Sequence, residues 1–177
     1  MTCAKKIKSD LVIPYDPVTD YYKRFREGVQ ELHEKALPKS KLEGIIGFVP
    51  ANKSENYTSM IEGYQKFLGS KKTNWFQPPR KIWNHGAIDI SVNPELALEW
   101  SGKKHIIKLY LKADKPSKDR IATILALMHH SLKVNNCELG LLDVRNSKLY
   151  LYESGMASLL PLVQGEAVGL EFMLNCI

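Results

Sequence analysis

What this chain lacks narrows its class before anything it contains. Its 177 residues hold only three cysteines, Cys3, Cys137 and Cys176, at no metal-ligand spacing. That excludes a disulfide scaffold and a zinc ribbon, and it points to free thiols in a reducing, cytoplasmic compartment. No uncharged apolar run approaches the ~18 residues a membrane-spanning helix needs, so no membrane partner is expected. Lys5, Lys6 and Lys8 precede Leu11-Val12-Ile13, but Pro14 ends that stretch too early for a signal-peptide core. Internal repeats, low-complexity tracts, a Gly-rich phosphate loop, a nucleophile elbow and a dinucleotide fingerprint are all missing. His129 and His130 are adjacent, and neighbours on a helix diverge by about 100°, so they do not share one metal.

What is present is ordinary globular material, 44% hydrophobic and 25% charged, in a length that suits one domain. The expected division is an N-terminal arm over 1–15 and a single domain over 16–177. The formal charge of +6 is local. Between Lys66 and Arg120 stand twelve Lys/Arg against five Asp/Glu, and the remainder of the chain carries a net −1. A clustered basic excess suits nucleic acid or another polyanion, because each neutralised phosphate releases counterions. A solvated basic face is the plainer alternative.

Periodicity predicts the elements. Asp16 and Pro17 form a helix start, and Val18, Tyr21, Tyr22, Phe25, Val29, Leu32 and Ala36 recur at helical spacing over 17–37. The short apolar run Gly44–Val49, closed by Pro50, reads as a buried strand. Ser54 caps a second helix carrying Tyr57, Met60, Ile61, Tyr64, Phe67 and Leu68, with Gly69 as its stop. Residues 70–85 read as a connection that interleaves Trp75, Phe76 and Trp83 with Arg80 and Lys81. Residues 86–92 alternate like a strand. A hairpin follows, turning at Ser101-Gly102, with His105–Lys112 as its return strand. Pro116-Ser117 opens a third helix with Ile121, Leu125, Met128 and Leu132 inward. Leu139–Val144 and Leu149–Tyr152 are strands about an Asn146-Ser147 turn. The tail from Met156 reads equally as a helix or a strand. The class is α+β, a mixed sheet of about five strands with helices packed on it.

The hairpin holds the most specific chemistry. A two-residue turn sets Trp100 opposite Lys103, Glu99 opposite Lys104, Ala97 opposite Ile106 and Glu95 opposite Lys108. Alternation then gives Leu96, Leu98, Trp100, Ile107, Leu109 and Leu111 to the core. Glu95, Ala97, Glu99, Lys104, Ile106, Lys108, Tyr110 and Lys112 share a more polar face. An acid facing a lysine is either a cross-strand ion pair, worth up to about 1 kcal/mol, or the start of a site. In the latter, Lys108 steadies a phosphate or activates a water, while Asp89 and Glu95 hold a divalent metal. Mg²⁺, a hard cation, suits such oxygen ligands.

Pro94-Glu95, a turn, Ile106-Ile107-Lys108 on the next strand, then a helix and a strand, resembles the core of the PD-(D/E)xK, restriction-endonuclease-like nuclease superfamily. The resemblance covers roughly residues 86–144, with the helix at 17–37 or 54–68 as the leading helix. It implies a core of helix, three strands, helix and strand, Glu95 as the first metal-binding acid and Lys108 as the catalytic lysine. The motif is degenerate: Ile106 stands where the family has Asp or Glu, which removes a metal ligand.

Three functions follow as expectations. The first is a nucleic-acid-associated domain with a nuclease-like core that lacks normal metal-dependent cleavage. Arg80, Lys81, Trp83, Lys104, Lys108, Lys112, Lys115, Lys118 and Arg120 would be its nucleic-acid contacts, with Trp83 and its aromatic neighbours as stacking surfaces. The second is a non-enzymatic protein-interaction module, subunit or homodimer, marked by an exposed apolar patch at Tyr21-Tyr22, Trp75-Phe76 or the tail. The third is an Mg²⁺-dependent nuclease with Glu95 and Lys108 as catalytic residues.

Overall fold

The computed structural model describes residues 20–176; the expected arm, Cys3 and the Asp16-Pro17 helix start lie outside the described residues. Helix α1 spans Lys23–Glu34, and a run of 3₁₀ turns spans Lys39–Phe48. Helix α2 spans Ala51–Leu68 and leads to the short strand β1, Asn74–Trp75. Strands β2 (Lys81–His85), β3 (Ile88–Val92), β4 (Leu96–Trp100) and β5 (Lys103–Tyr110) follow. Helix α3 (Lys118–Leu132) crosses to β6 (Cys137–Asp143), which turns into β7 (Lys148–Leu151). A 3₁₀ turn, Ser154–Leu159, opens helix α4, Leu160–Asn175.

Five strands form one mixed sheet in the order β1-β4-β5-β6-β7. Only β5 and β6 are parallel, as the α3 crossover between them requires. Strands β2 and β3 form a separate antiparallel hairpin. The β4–β5 register is the expected one: Trp100 opposes Lys103, Glu99 opposes Lys104 and Ala97 opposes Ile106. Ser101 and Gly102 both take positive φ, 51° and 75°, as a type I′ turn requires.

Alternation then decides which side each residue faces. Leu96, Leu98, Ile107, Leu109 and Leu111 pack with Phe25, Val29, Tyr57, Met60 and Tyr64 beneath α1 and α2. Each such buried side chain contributes roughly 1.5–3 kcal/mol of transfer free energy. Helix α2 comes unusually close at Gly63, where a Cβ would stand 2.1 Å from the Val144 carbonyl oxygen; only glycine fits there.

The other face departs from expectation. Ala97, Ile106 and Tyr110 are buried, not on a polar surface, because α3, the β2–β3 hairpin and α4 cover them. Only the charged residues toward the strand ends escape this second core. Three further differences have local causes. The strand expected at 44–49 is 3₁₀ turns: its two glycines leave too little alternating apolar surface to bury, and none of its residues is buried. Helix α1 ends at Glu34, short of the expected 37, and before it Tyr21 lies in a turn held by the Asp20 carboxylate, which accepts the Tyr22 N–H at 3.1 Å. Helix α2 starts behind Pro50, so Ser54 is inside it, not at its cap. Ser117 does cap α3, accepting the Arg120 N–H at 3.2 Å.

The undecided tail is helical. Val163 and Ala167 pack inward, while Leu162, Val168, Phe172 and Met173 face solvent. Ser154–Asn175 is 22 residues long and holds an 18-residue stretch of mean hydropathy 1.2, long and apolar enough to cross a membrane by length and composition. The absence of a long uncharged run does not detect it, because Glu166 and Glu171 interrupt it.

Candidate functional site

Glu95 stands directly before β4, fixed by the buried Pro94 on one side and by the ladder on the other. Its position opposite Lys108 becomes contact: Lys108 Nζ donates to Glu95 Oε1 at 2.6 Å and to the Asn93 carbonyl at 3.2 Å. The second carboxylate oxygen accepts the Leu109 backbone N–H at 2.8 Å. Glu95 is 8% exposed, so both oxygens have partners where water has little access. From α1, Gln30 Nε2 donates to the Glu95 carbonyl at 2.9 Å.

Glu95 borders an open groove of about 340 Å³ that is also lined by Lys23, Arg26, Glu27 and Gln30 of α1 and by Arg80, Asn93 and Pro94. Within it, Lys23 pairs with Glu27 at 3.6 Å and Arg26 pairs with Asp20. Arg80 is exposed and has no carboxylate partner among the described residues. The groove is therefore a mixed-charge surface with cationic surplus at its rim.

The α1 contributors were not among the expected site residues. Lys23, Glu27 and Gln30 follow at i, i+4 and i+7, a polar stripe opposite the Phe25–Val29–Leu32 face. That stripe was the available signal; what periodicity does not tell is that it faces the end of β4.

Other expected residues disperse. Asp89 lies on the exposed edge of the β2–β3 hairpin, where its carboxylate accepts from Asn84 Nδ2 at 2.7 Å, and no contact joins it to Glu95 or Lys108. Trp83 is 5% exposed in the second core, which corrects its expected role as a contact surface: a buried indole cannot stack on a base. Arg120 is held by Tyr110 Oη at 2.9 Å and by Asp114 at 3.2 Å, so its charge is partnered. Lys104 sits over the Phe76 ring, about 13 Å along β5 from Lys108 at 3.3 Å per residue. Lys81, Lys112, Lys115 and Lys118 are exposed without a side-chain partner among the described residues.

The donor set does not fit Mg²⁺. Glu95 is consumed by an ammonium and an amide, Ile106 is apolar and 1% exposed, and Asp89 is elsewhere. Among the described residues, no group of three or more His, Cys, Asp or Glu side chains is placed to hold a metal ion. The cysteines Cys137 and Cys176 are free thiols. The chain matches no protein-family model and no curated protein.

Proposed function

We propose that this chain is a nucleic-acid-associated domain with a restriction-endonuclease-like core that holds phosphates and does not cleave them through a metal. The observation that carries this reading is the Glu95–Lys108 pair at 2.6 Å beside a groove rimmed by Lys23, Arg26 and Arg80. The chain order supports it: α2, the antiparallel strands β1, β4 and β5, then α3 and the parallel β6, with β2–β3 inserted after β1. That is the helix, three strands, helix, strand order of the nuclease superfamily. In this reading Lys108 offsets the Glu95 charge, Arg80 contributes positive potential at the groove, and Lys112, Lys115 and Lys118 extend it beyond β5.

Direct binding tests it. Labelled DNA and RNA are titrated at a series of salt concentrations. Binding is expected to weaken linearly on a log–log plot. Replacing Arg80, Lys112, Lys115 and Lys118 with alanine, all exposed, is expected to weaken binding and lower that slope. No binding to any DNA or RNA at low salt overturns the reading.

A second reading has its own observation. The outer face of α4 exposes Leu162, Val168, Phe172 and Met173, with Phe172 at 70%, the kind of apolar patch that marks protein-interaction surfaces. In that reading the chain is a subunit or homodimer. A Phe172→Asp variant that leaves the sedimentation behaviour unchanged at high concentration counts against the homodimer.

A further inference from the structure

A second groove adjoins the one beside Glu95, and the two share Lys23 and Glu27. It measures about 430 Å³, and Arg24, Lys53 and Phe48 are on its walls. The pair of grooves thus wraps the outer face of α1. Its acids are matched: Asp20 with Arg26, Glu27 with Lys23, and Glu95 with Lys108. Arg24, Lys53 and Arg80 remain without a carboxylate among the described residues, so the composite channel has a net positive character. Lys53 instead lies over the Tyr21 ring at 4.7 Å.

Phe48 is the unusual member. It ends the 3₁₀ turns between Gly47 and Val49-Pro50, and it is 71% exposed. An aromatic ring held in water at the edge of a cationic channel has no core to serve. It does have the composition of a base-stacking platform, in which cations track the backbone and a ring takes a base face. Each groove has the volume of a small-ligand site, roughly 300–1,000 Å³, which accommodates single nucleotides and not a paired duplex.

We infer that this channel binds single-stranded nucleic acid, with a base stacked on Phe48 and the backbone carried past Arg24, Lys53 and Arg80. The inference rests on the nucleic-acid reading above and specifies its ligand form. Stacking needs an unpaired base, so a single strand is preferred over its duplex. The contacts named are to phosphate and to a π-face, so the preference for sequence is weak.

The test uses the full chain and a labelled mixed-sequence oligonucleotide of about 16 nucleotides, the upper site size for a single-strand groove. The oligonucleotide is offered alone and annealed to its complement, and anisotropy is followed across salt. Single-strand binding is expected to be tighter. Phe48→Ala should weaken single-strand binding about tenfold with an unchanged salt slope, and Phe48→Trp should restore it, with indole quenching on binding. Arg24→Gln with Lys53→Gln should instead lower the slope by about 1.4, from about 0.7 per phosphate on a single strand. If Phe48→Ala keeps full single-strand affinity, or duplex binds better, the inference falls while the nucleic-acid reading stands. If neither strand form binds, both fall.

Discussion

Among the buried acids and histidines, the α1–α2 side of the sheet holds the imidazoles His33 and His105, and the α3 side holds the carboxylates Glu95 and Asp143. His33 lies on α1 between Tyr64 Oη at 2.6 Å and Thr73 Oγ1 at 3.1 Å, and burial lowers its pKa to about 4. His105 lies on β5, its ring 3.4 Å from that of Trp100, with Nε2 3.0 Å from Glu138. Burial holds it below its ordinary range although Glu138 pulls the other way. Three residues along the same strand, pointing to the opposite face, Lys108 meets Glu95. An imidazole can enter a core neutral, so it costs little at neutral pH and becomes a liability in acid. A buried carboxylate that shares its oxygens between an ammonium and a backbone amide depends on keeping both partners. His105 is covered by the Trp100 ring, whereas His33 and Glu95 each border an open groove and Lys108 is partly open to solvent.

The largest expected effect comes from breaking the fixed pair. Glu95→Ala leaves the Leu109 N–H without its acceptor and Lys108 without its counter-charge, and should cost about 3 kcal/mol. Glu95→Gln keeps an acceptor for the amide and should cost about half of that. Urea unfolding with an unchanged m-value measures both. Asp89→Ala, on the exposed hairpin, should stay within about 0.5 kcal/mol. An equal loss at Asp89 would dissolve the distinction between the two acids.

The second effect belongs to the imidazole side and is read by pH. The folded pKa of His33 is depressed, so the unfolded chain takes up the proton first as pH falls. Stability is expected to be lost from about pH 6.5 downward, levelling near pH 4, by up to about 3 kcal/mol for this group. His105 shifts in the same direction and adds to the loss. His33→Gln should be less stable than the parent at pH 7 yet flatter between pH 7 and 4. An unchanged pH profile would show that His33 is not the group responsible.

How far the sequence foretold this arrangement differs between the two faces. The β4–β5 hairpin was legible because alternation and the Ser101-Gly102 turn fix register together, and register alone brings Glu95 to Lys108. The helices α2 and α3 were legible from their apolar stripes. The 44–49 segment was not, because a short apolar run lacks a period of its own, and its fate was decided by packing on α1. Nor was the covered α3 face, since Ala97, Ile106 and Tyr110 interrupted by lysines resemble a solvated strand. The separation of Asp89 from Glu95 was hidden for a related reason: the chain breaks at Asn93-Pro94 and sends β3 into a different sheet. Contacts between elements distant in sequence, such as Gln30 with Glu95, leave no mark on either segment alone.

The third effect probes the seal over His105. Trp100 is half-buried, stacks on the imidazole and meets Phe67 edge-on, so Trp100→Ala should cost about 2 kcal/mol, below the range for a fully buried Trp. It should also raise the His105 pKa toward its ordinary value, because burial is the main cause of the depression. Titration of the His105 ring protons by NMR reads that rise directly. An unmoved titration would mean that the strand neighbours, not the indole, exclude water.

The smallest effect is expected at Lys103, and its smallness is informative. Lys103 Nζ reaches Glu138 Oε1 at 2.8 Å, the same carboxylate that faces His105, so the three form a chain from solvent to core. By distance this pair resembles Glu95–Lys108, yet the lysine is 66% exposed. In water its attraction is screened and its flexible stem must be ordered, so Lys103→Ala should cost under about 0.5 kcal/mol at pH 7. Removing the lysine also frees Glu138 for the imidazole alone, which strengthens its pull on the proton and should raise the His105 pKa slightly. A loss at Lys103 as large as that at Glu95 would mean that hydrogen-bond length, not burial, governs these pairs, and the contrast between the faces would fail.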